Sequence, residues 1–162
     1  LTLIIAQAAA IVAYLPVGMV ASRIGRKKTI LAGVALLAVC FALGGVLTTH
    51  SDHITVPMYL LFALVGLAWA AINVNSLPMV VSMCDTEDIG RFTGIYYTFS
   101  MFAQVLTPIL SGALLQYVSY RTLFVYSAFF MVCAFITMCF VRHGDSKPVP
   151  KKNLLEHFDV DD

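Results

Sequence analysis

Charged residues are scarce in this chain. Asp, Glu, Lys and Arg make up 12% of its 162 residues, about half the share of a soluble domain. None of them falls inside five apolar runs at roughly 1–20, 30–48, 57–77, 92–117 and 122–141. Cysteine pairs are lacking too. Cys40, Cys133 and Cys139 lie within runs and Cys84 between two of them, with no C-x-x-C spacing; this argues against a disulfide framework and for packing roles. There is no phosphate-cradling G-x-x-x-x-G-K loop, no Ser-His-Asp order and no zinc-ligand spacing, so the chain is expected to be no enzyme and to hold no cofactor or metal. It opens on Leu1, without Met and without the basic region of a signal peptide. With its first run unflanked, it reads as a fragment whose preceding helices are missing.

Hydrophobic residues are what the chain has: 60% of the total, for a mean hydropathy of +0.88. A hydrocarbon core about 30 Å thick is crossed by ~20 apolar residues at 1.5 Å each. Lipid offers no partner to backbone polar groups, so such runs are helices. The expected fold is all-α: a polytopic transmembrane helix bundle of five spans over residues 1–142. A polar segment, 143–162, follows and is read as a mobile cytoplasmic extension. Orientation follows from the basic residues. Arg23, Arg26, Lys27, Lys28, Arg91, Arg142, Lys147, Lys151 and Lys152 fall on one side and only Arg121 on the other. That imbalance places loops 21–29 and 78–91 and the C-terminal segment in the cytoplasm of a multi-pass protein of the cell membrane. The net charge of +1 gives no reason to expect a nucleic-acid partner.

Two spans carry polar stripes. Tyr59, Phe62, Gly66, Trp69, Asn73 and Ser76 recur at alternating intervals of three and four, as do Thr93, Tyr97, Ser100, Gln104, Thr107 and Ser111. Each set falls on one helix face. Hydrocarbon cannot satisfy amides and hydroxyls, so these faces meet protein or water. A sugar has an apolar C–H face and a hydroxyl rim, which suits an aromatic platform flanked by amides. Trp69, Asn73 and Ser76 are therefore the first candidates for solute contact, and Tyr97, Ser100 and Gln104 the second. Interhelical packing is the alternative for both sets; Asn75 points off the first face. Pro16, Pro78 and Pro108 permit kinks.

Asp85-Thr86-Glu87-Asp88 reads as a helix start, with Asp85 or Thr86 capping and the acids complementing the dipole. An intracellular gate or a membrane-enzyme metal site are the alternatives. His50-Ser-Asp52-His53 has two-His spacing but too few ligands for a metal site, and reads as a solvated loop.

The island Gly18-Met-Val-Ala-Ser22-Arg23-Ile-Gly25-Arg26-Lys27 resembles the G-x-x-x-D-R-x-G-R-[KR] loop of the major facilitator superfamily. Asn73-Val-Asn-Ser-Leu-Pro78, Thr93-Gly94-Ile-Tyr-Tyr-Thr-Phe-Ser100 and Thr107-Pro108-Ile-Leu-Ser-Gly112 resemble late helices of sugar–cation symporters of the glycoside–pentoside–hexuronide and sucrose-transporter kind. The resemblance covers about residues 1–142. It implies the C-terminal half, helices 8–12 of a partial major-facilitator fold; the loop also occurs between helices 2 and 3. It further implies a small polar solute, a coupling proton or Na+, the lipid bilayer and the missing N-terminal half as partners. Gly18, Ser22, Arg23, Gly25, Arg26 and Lys27 would form a gating loop, beside the purely topogenic role such a loop can have. The chain departs at Ser22, where the family has the Asp of the network that braces the cytoplasmic gate. The spans hold no titratable acid or base, so a coupling carboxylate is expected in the missing half. A drug or metabolite exporter of the same superfamily, a small membrane enzyme using Asp85, Glu87 and Asp88, and a five-span scaffold protein are the rival readings.

Overall fold

The structure, a computed structural model, describes residues 2–50, 56–119 and 122–144. Within them the chain forms α1 (Thr2–Ile24), α2 (Arg26–His50), α3 (Val56–Val81), a single 3-10 turn (Thr86–Asp88), α4 (Ile89–Tyr117) and α5 (Thr122–Phe140). There is no strand among the described residues. All five helices are long and apolar enough to cross a membrane.

The helices run past the apolar stretches, and the connection between α1 and α2 shrinks to Gly25. Its φ of 103° is a left-handed conformation that a Cβ would strain. The Gly25 N–H donates to the Ala21 carbonyl at 3.0 Å, closing the end of α1. Its carbonyl then accepts from both the backbone N–H and the hydroxyl of Thr29, at 3.2 and 3.0 Å, which opens α2.

Packing centres on α3, which lies against α1 on one side and α2 on another, while α2 also meets α5. The contacts are made by small residues, as expected where lipid provides no hydrophobic drive and helices must approach closely to gain dispersion energy. A Cβ on Gly66 would run into the Ala6 carbonyl of α1. On Gly33 it would come within 2.9 Å of the Ala68 carbonyl oxygen of α3, and on Gly44 within 2.9 Å of the Phe124 ring of α5. Around these crossings lie two clusters: Ala10, Ala13, Val17, Ala70 and Ala71 between α1 and α3, and Ile30, Val34 and Met79, packed against Met131, Ala134 and Met138 of α5.

α4 differs from the rest. None of its residues is buried, and it touches α3 and α5 only lightly. Nearly the whole of this apolar helix is open to lipid or to further helices.

Candidate functional site

The α3 stripe divides once its neighbours are in place. Gly66 is covered by α1, and Phe62 lies among Phe41, Met58 and Phe124, in the crevice between α2, α3 and α5. The open surface is the part between those contacts: Trp69, 51% exposed, Asn73, exposed, and Ser76, half-buried. Six residues in one register thus do not share one environment: Gly66 and Phe62 meet other helices, while Trp69 and Asn73 are exposed. Asn73 Nδ2 donates to the Trp69 carbonyl at 3.0 Å, and its amide oxygen has no partner among the described residues. The Ser76 hydroxyl donates to the Ile72 carbonyl at 2.6 Å. Asn75, in contrast, is 3% exposed and donates to the Ala71 carbonyl at 2.8 Å. It belongs to the packed side of α3.

On α4, Tyr97, Gln104 and Thr107 are exposed and Ser100 is half-buried. Gln104 Nε2 lies 3.3 Å from the Ser100 hydroxyl, one turn earlier. Pro108 has no N–H, so the Gln104 carbonyl loses the donor that normally sits four residues on. Gln104 therefore offers a side-chain amide and a backbone oxygen without its usual i+4 donor at one level of the helix, a costly combination against hydrocarbon. Among the described residues no hydrogen bond joins this set to Trp69, Asn73 or Ser76. Tyr96, rather than Tyr97, meets Ser76: both line a cavity of about 200 Å³ with Met79, Met83 and Met138. The two tyrosine rings pack edge to face, 5.4 Å apart.

The start of α4 is built differently from the sequence reading. Asp85 precedes the 3-10 turn and Asp88 precedes α4, and neither makes a side-chain cap hydrogen bond. The backbone closes the turn instead, Asp88 N–H donating to the Asp85 carbonyl at 3.0 Å. The histidines of the 50–53 pattern fall outside the residues whose side chains are described, as do Arg121 and the 145–162 segment. Among the described residues no group of His, Cys, Asp and Glu could hold a metal ion.

The basic island does more than the sequence indicates. Arg26 Nη1 donates to the Pro78 carbonyl at 2.9 Å, near the end of α3. Lys27 Nζ donates to the Cys139 carbonyl at 3.1 Å, in the last turn of α5. Neither α3 nor α5 has a basic residue in its own last turn, so their negative dipole ends lack a local counter-charge. The first turn of α2 supplies it and ties three helix ends together. At the same end, the Ser82 hydroxyl donates to the Gly144 carbonyl at 3.0 Å, fastening the chain after α5 to the end of α3. Ser22 takes no part: its hydroxyl donates to the Met19 carbonyl of its own helix at 2.7 Å and the residue is exposed. The clamp needs no acid at position 22, because its acceptors are backbone carbonyls.

The chain matches the family model of the Major Facilitator Superfamily over residues 1–159. It belongs to the major facilitator superfamily. Comparison with curated proteins gives no match. As a superfamily member this is an integral, multi-pass membrane protein of a transporter family rather than an enzyme family. The five helices are each of membrane-spanning length, and the Gly18–Lys27 island resembles the family's loop, with Ser22 where that pattern has Asp. Sequence reasoning placed the island correctly between two helices but missed what Arg26 and Lys27 bind. The available signal was negative: two helices ending on that side without a basic residue in the last turn.

Proposed function

We propose that the chain is the C-terminal part of a secondary transporter that moves a small polar solute of the sugar or glycoside class, coupled to a proton or Na+, by alternating access. The observation that carries the reading is the open face of α3. Trp69, in the middle of Val56–Val81, is half exposed, and Asn73, one turn on, is exposed with its amide oxygen unpartnered among the described residues. A tryptophan of an interfacial belt would sit at a helix end. An exposed aromatic residue with an exposed amide one turn along the same helix, deep in an apolar span, suits a ring with C–H faces and hydroxyl edges. Gln104 and Ser100 on α4, with the carbonyl that Pro108 leaves without its usual i+4 donor, form a second polar surface at membrane depth, and Tyr97 extends it. Orientation in this reading follows the nine-to-one distribution of Lys and Arg, which puts the clamp at the cytoplasmic mouth. There, Arg26 and Lys27 tie the start of α2 to the ends of α3 and α5, the Gly25 turn joins α1 to α2, and these helices move as one body during rocking. None of α1 to α5 carries an Asp or Glu, so the coupling carboxylate lies outside the five helices.

The test is uptake of a labelled panel of sugars, glycosides and amphipathic drugs into vesicles bearing the protein. Sugar uptake is expected, with Trp69→Ala lowering it about tenfold and Asn73→Ala about two- to tenfold, the equivalent of one lost contact or hydrogen bond. Unchanged uptake in both variants would remove α3 from the solute path. Export of the drugs without sugar uptake would replace the sugar reading with an exporter.

A further inference from the structure

Sulfur is concentrated at one place in the bundle. The cavity of about 200 Å³ beside Ser76 and Tyr96 takes in three of the chain's seven methionines. They are Met79 of α3, Met83 just beyond its end, and Met138 of α5. Met79 and Met83 converge on one point: a Cβ built on Gly144 would come within 3.0 Å of the Met79 Cγ and 2.9 Å of the Met83 Cγ. Met138 reaches the same cavity from α5 and packs against the cluster of Ile30, Val34 and Met79. The chain leaving α5 lies against this site. Val141 lines it, Gly144 takes φ +89° beside the Met79 carbonyl, and the Ser82 hydroxyl donates to the Gly144 carbonyl at 3.0 Å.

Packing asks only for apolar volume, which leucine supplies with fewer torsions to fix. Three methionines bring three thioether sulfurs as well, and nothing stronger competes with them. No Asp, Glu, His, Cys, Lys or Arg lines the cavity, and Ser76 and Tyr96 are its only polar side chains. Thioethers are soft, neutral ligands that select Cu(I) over harder ions, and Ag(I) shares its charge and softness. Mg²⁺ and Ca²⁺ require several oxygen ligands. With no carboxylate or thiolate to offset it, any divalent ion would lose more hydration than the site returns. The surroundings also suit a low charge. α3 and α5 end here with no basic residue in their last turns, which leaves negative dipole ends, but Arg26 and Lys27 already donate to the Pro78 and Cys139 carbonyls.

We propose that Met79, Met83 and Met138 form a thioether site for one soft monovalent cation, Cu(I) or Ag(I), at the ends of α3 and α5. The flexible methionine side chains turn their sulfurs inward without moving the backbone. The bound ion ties the end of α3 to α5 directly, beside the ties that Arg26 and Lys27 make through α2. The site owes nothing to Trp69 or Asn73 and requires no solute.

The test titrates Ag(I), a redox-silent probe, in chloride-free buffer into the purified full chain with Cys40, Cys84, Cys133 and Cys139 replaced by serine. One ion per chain is expected to bind. Met79→Leu, Met83→Leu and Met138→Leu, close in volume and each checked for an unchanged melting transition, are each expected to weaken binding at least tenfold. Equal binding by the triple leucine variant would overturn the site. So would loss of binding in the folded cysteine-free chain with its methionines intact, since the silver would then belong to the thiols. A second measurement needs no substitution. In selenomethionine-labelled protein with its four cysteines in place, absorption at the selenium edge is expected to show a silver neighbour at bonding distance; silver bound without selenium contact would overturn the site. No outcome depends on transport, so failure of the sugar reading and failure of the metal site are separable.

Discussion

A Gly66→Leu variant is expected to lose the α1–α3 pair altogether. The hydrogen of Gly66 points at the backbone of α1, where a Cβ would overlap the Ala6 carbonyl and approach the Ala10 nitrogen at 3.2 Å. No flexible side chain stands there to swing aside, so the helices must separate. Separation exposes the cluster of Ala10, Ala13, Val17, Ala70 and Ala71. α1 has little else to hold it, because most of its tertiary contact is with α3. Overpacking of a tight core site costs about 1–3 kcal/mol when side chains can shift, and an immovable backbone puts this substitution at or above the top of that range. The measurement is thermal unfolding of the purified protein in detergent, with Gly66→Ala as the intermediate case. A leucine variant that melts within about 2 °C of the parent, less than 1 kcal/mol would produce, would contradict the close crossing.

Arg26→Met and Lys27→Met are expected to destabilise the protein, while Ser22→Ala is expected to be nearly silent. The sign is informative because two effects oppose each other. Cations in the first turn of α2 face its positive dipole end, so removing one should favour that helix by about 0.3–1 kcal/mol. Against this stands the hydrogen bond from a charged donor to the end of another helix. For the partly buried Arg26 bond to Pro78 this is about 1.5–3 kcal/mol, and the more exposed Lys27 bond to Cys139 contributes less. The clamp should win at Arg26 by roughly 1–2 kcal/mol. Pro78 has a further donor, the Ser82 N–H at 3.1 Å, so the carbonyl itself is not orphaned; what is lost is the tie between α2 and α3. Thermal unfolding and limited proteolysis of the 82–88 connection would register that loss. An Arg26→Met protein more stable than its parent would mean that the α2 dipole dominates and the clamp is incidental.

How far the sequence carries depends on where the acting atoms reside. Uncharged runs of membrane length define the helices, because lipid permits little else, and the Gly25 turn is legible in a motif whose glycine has to take positive φ. Trp69 and Asn73 are exposed, and Ser76 is half-buried in a crevice shared with Tyr96. Gly66 and Phe62 share their spacing yet meet α1, α2 and α5, because a helical register fixes a face and not which neighbour covers it. Tyr96 and Tyr97 differ by one residue, about 100° of helix, and only packing decides that Tyr96 turns toward Ser76. The targets of Arg26 and Lys27 were illegible for another reason. Backbone carbonyls carry no residue identity, so no motif can record them. At position 22 the family pattern directs attention to a missing acid, whereas the contacts that tie the helix ends bypass it.

The central claim is that the Trp69–Asn73–Ser76 face of α3 borders a water-filled solute path at membrane depth. Single Asn73→Cys and Ser76→Cys variants, made in a background with Cys40, Cys84, Cys133 and Cys139 replaced by serine, test it most directly. They are compared with Phe129→Cys and Val132→Cys on the apolar exposed side of α5. A charged, membrane-impermeant thiosulfonate reagent is applied to the protein in its membrane. The account predicts labelling at 73 and 76, slowed by the transported solute, and none at 129 or 132. Positions 73 and 76 as inert as 129 and 132 would mean that this face meets lipid or another helix, and the solute path would have to lie elsewhere.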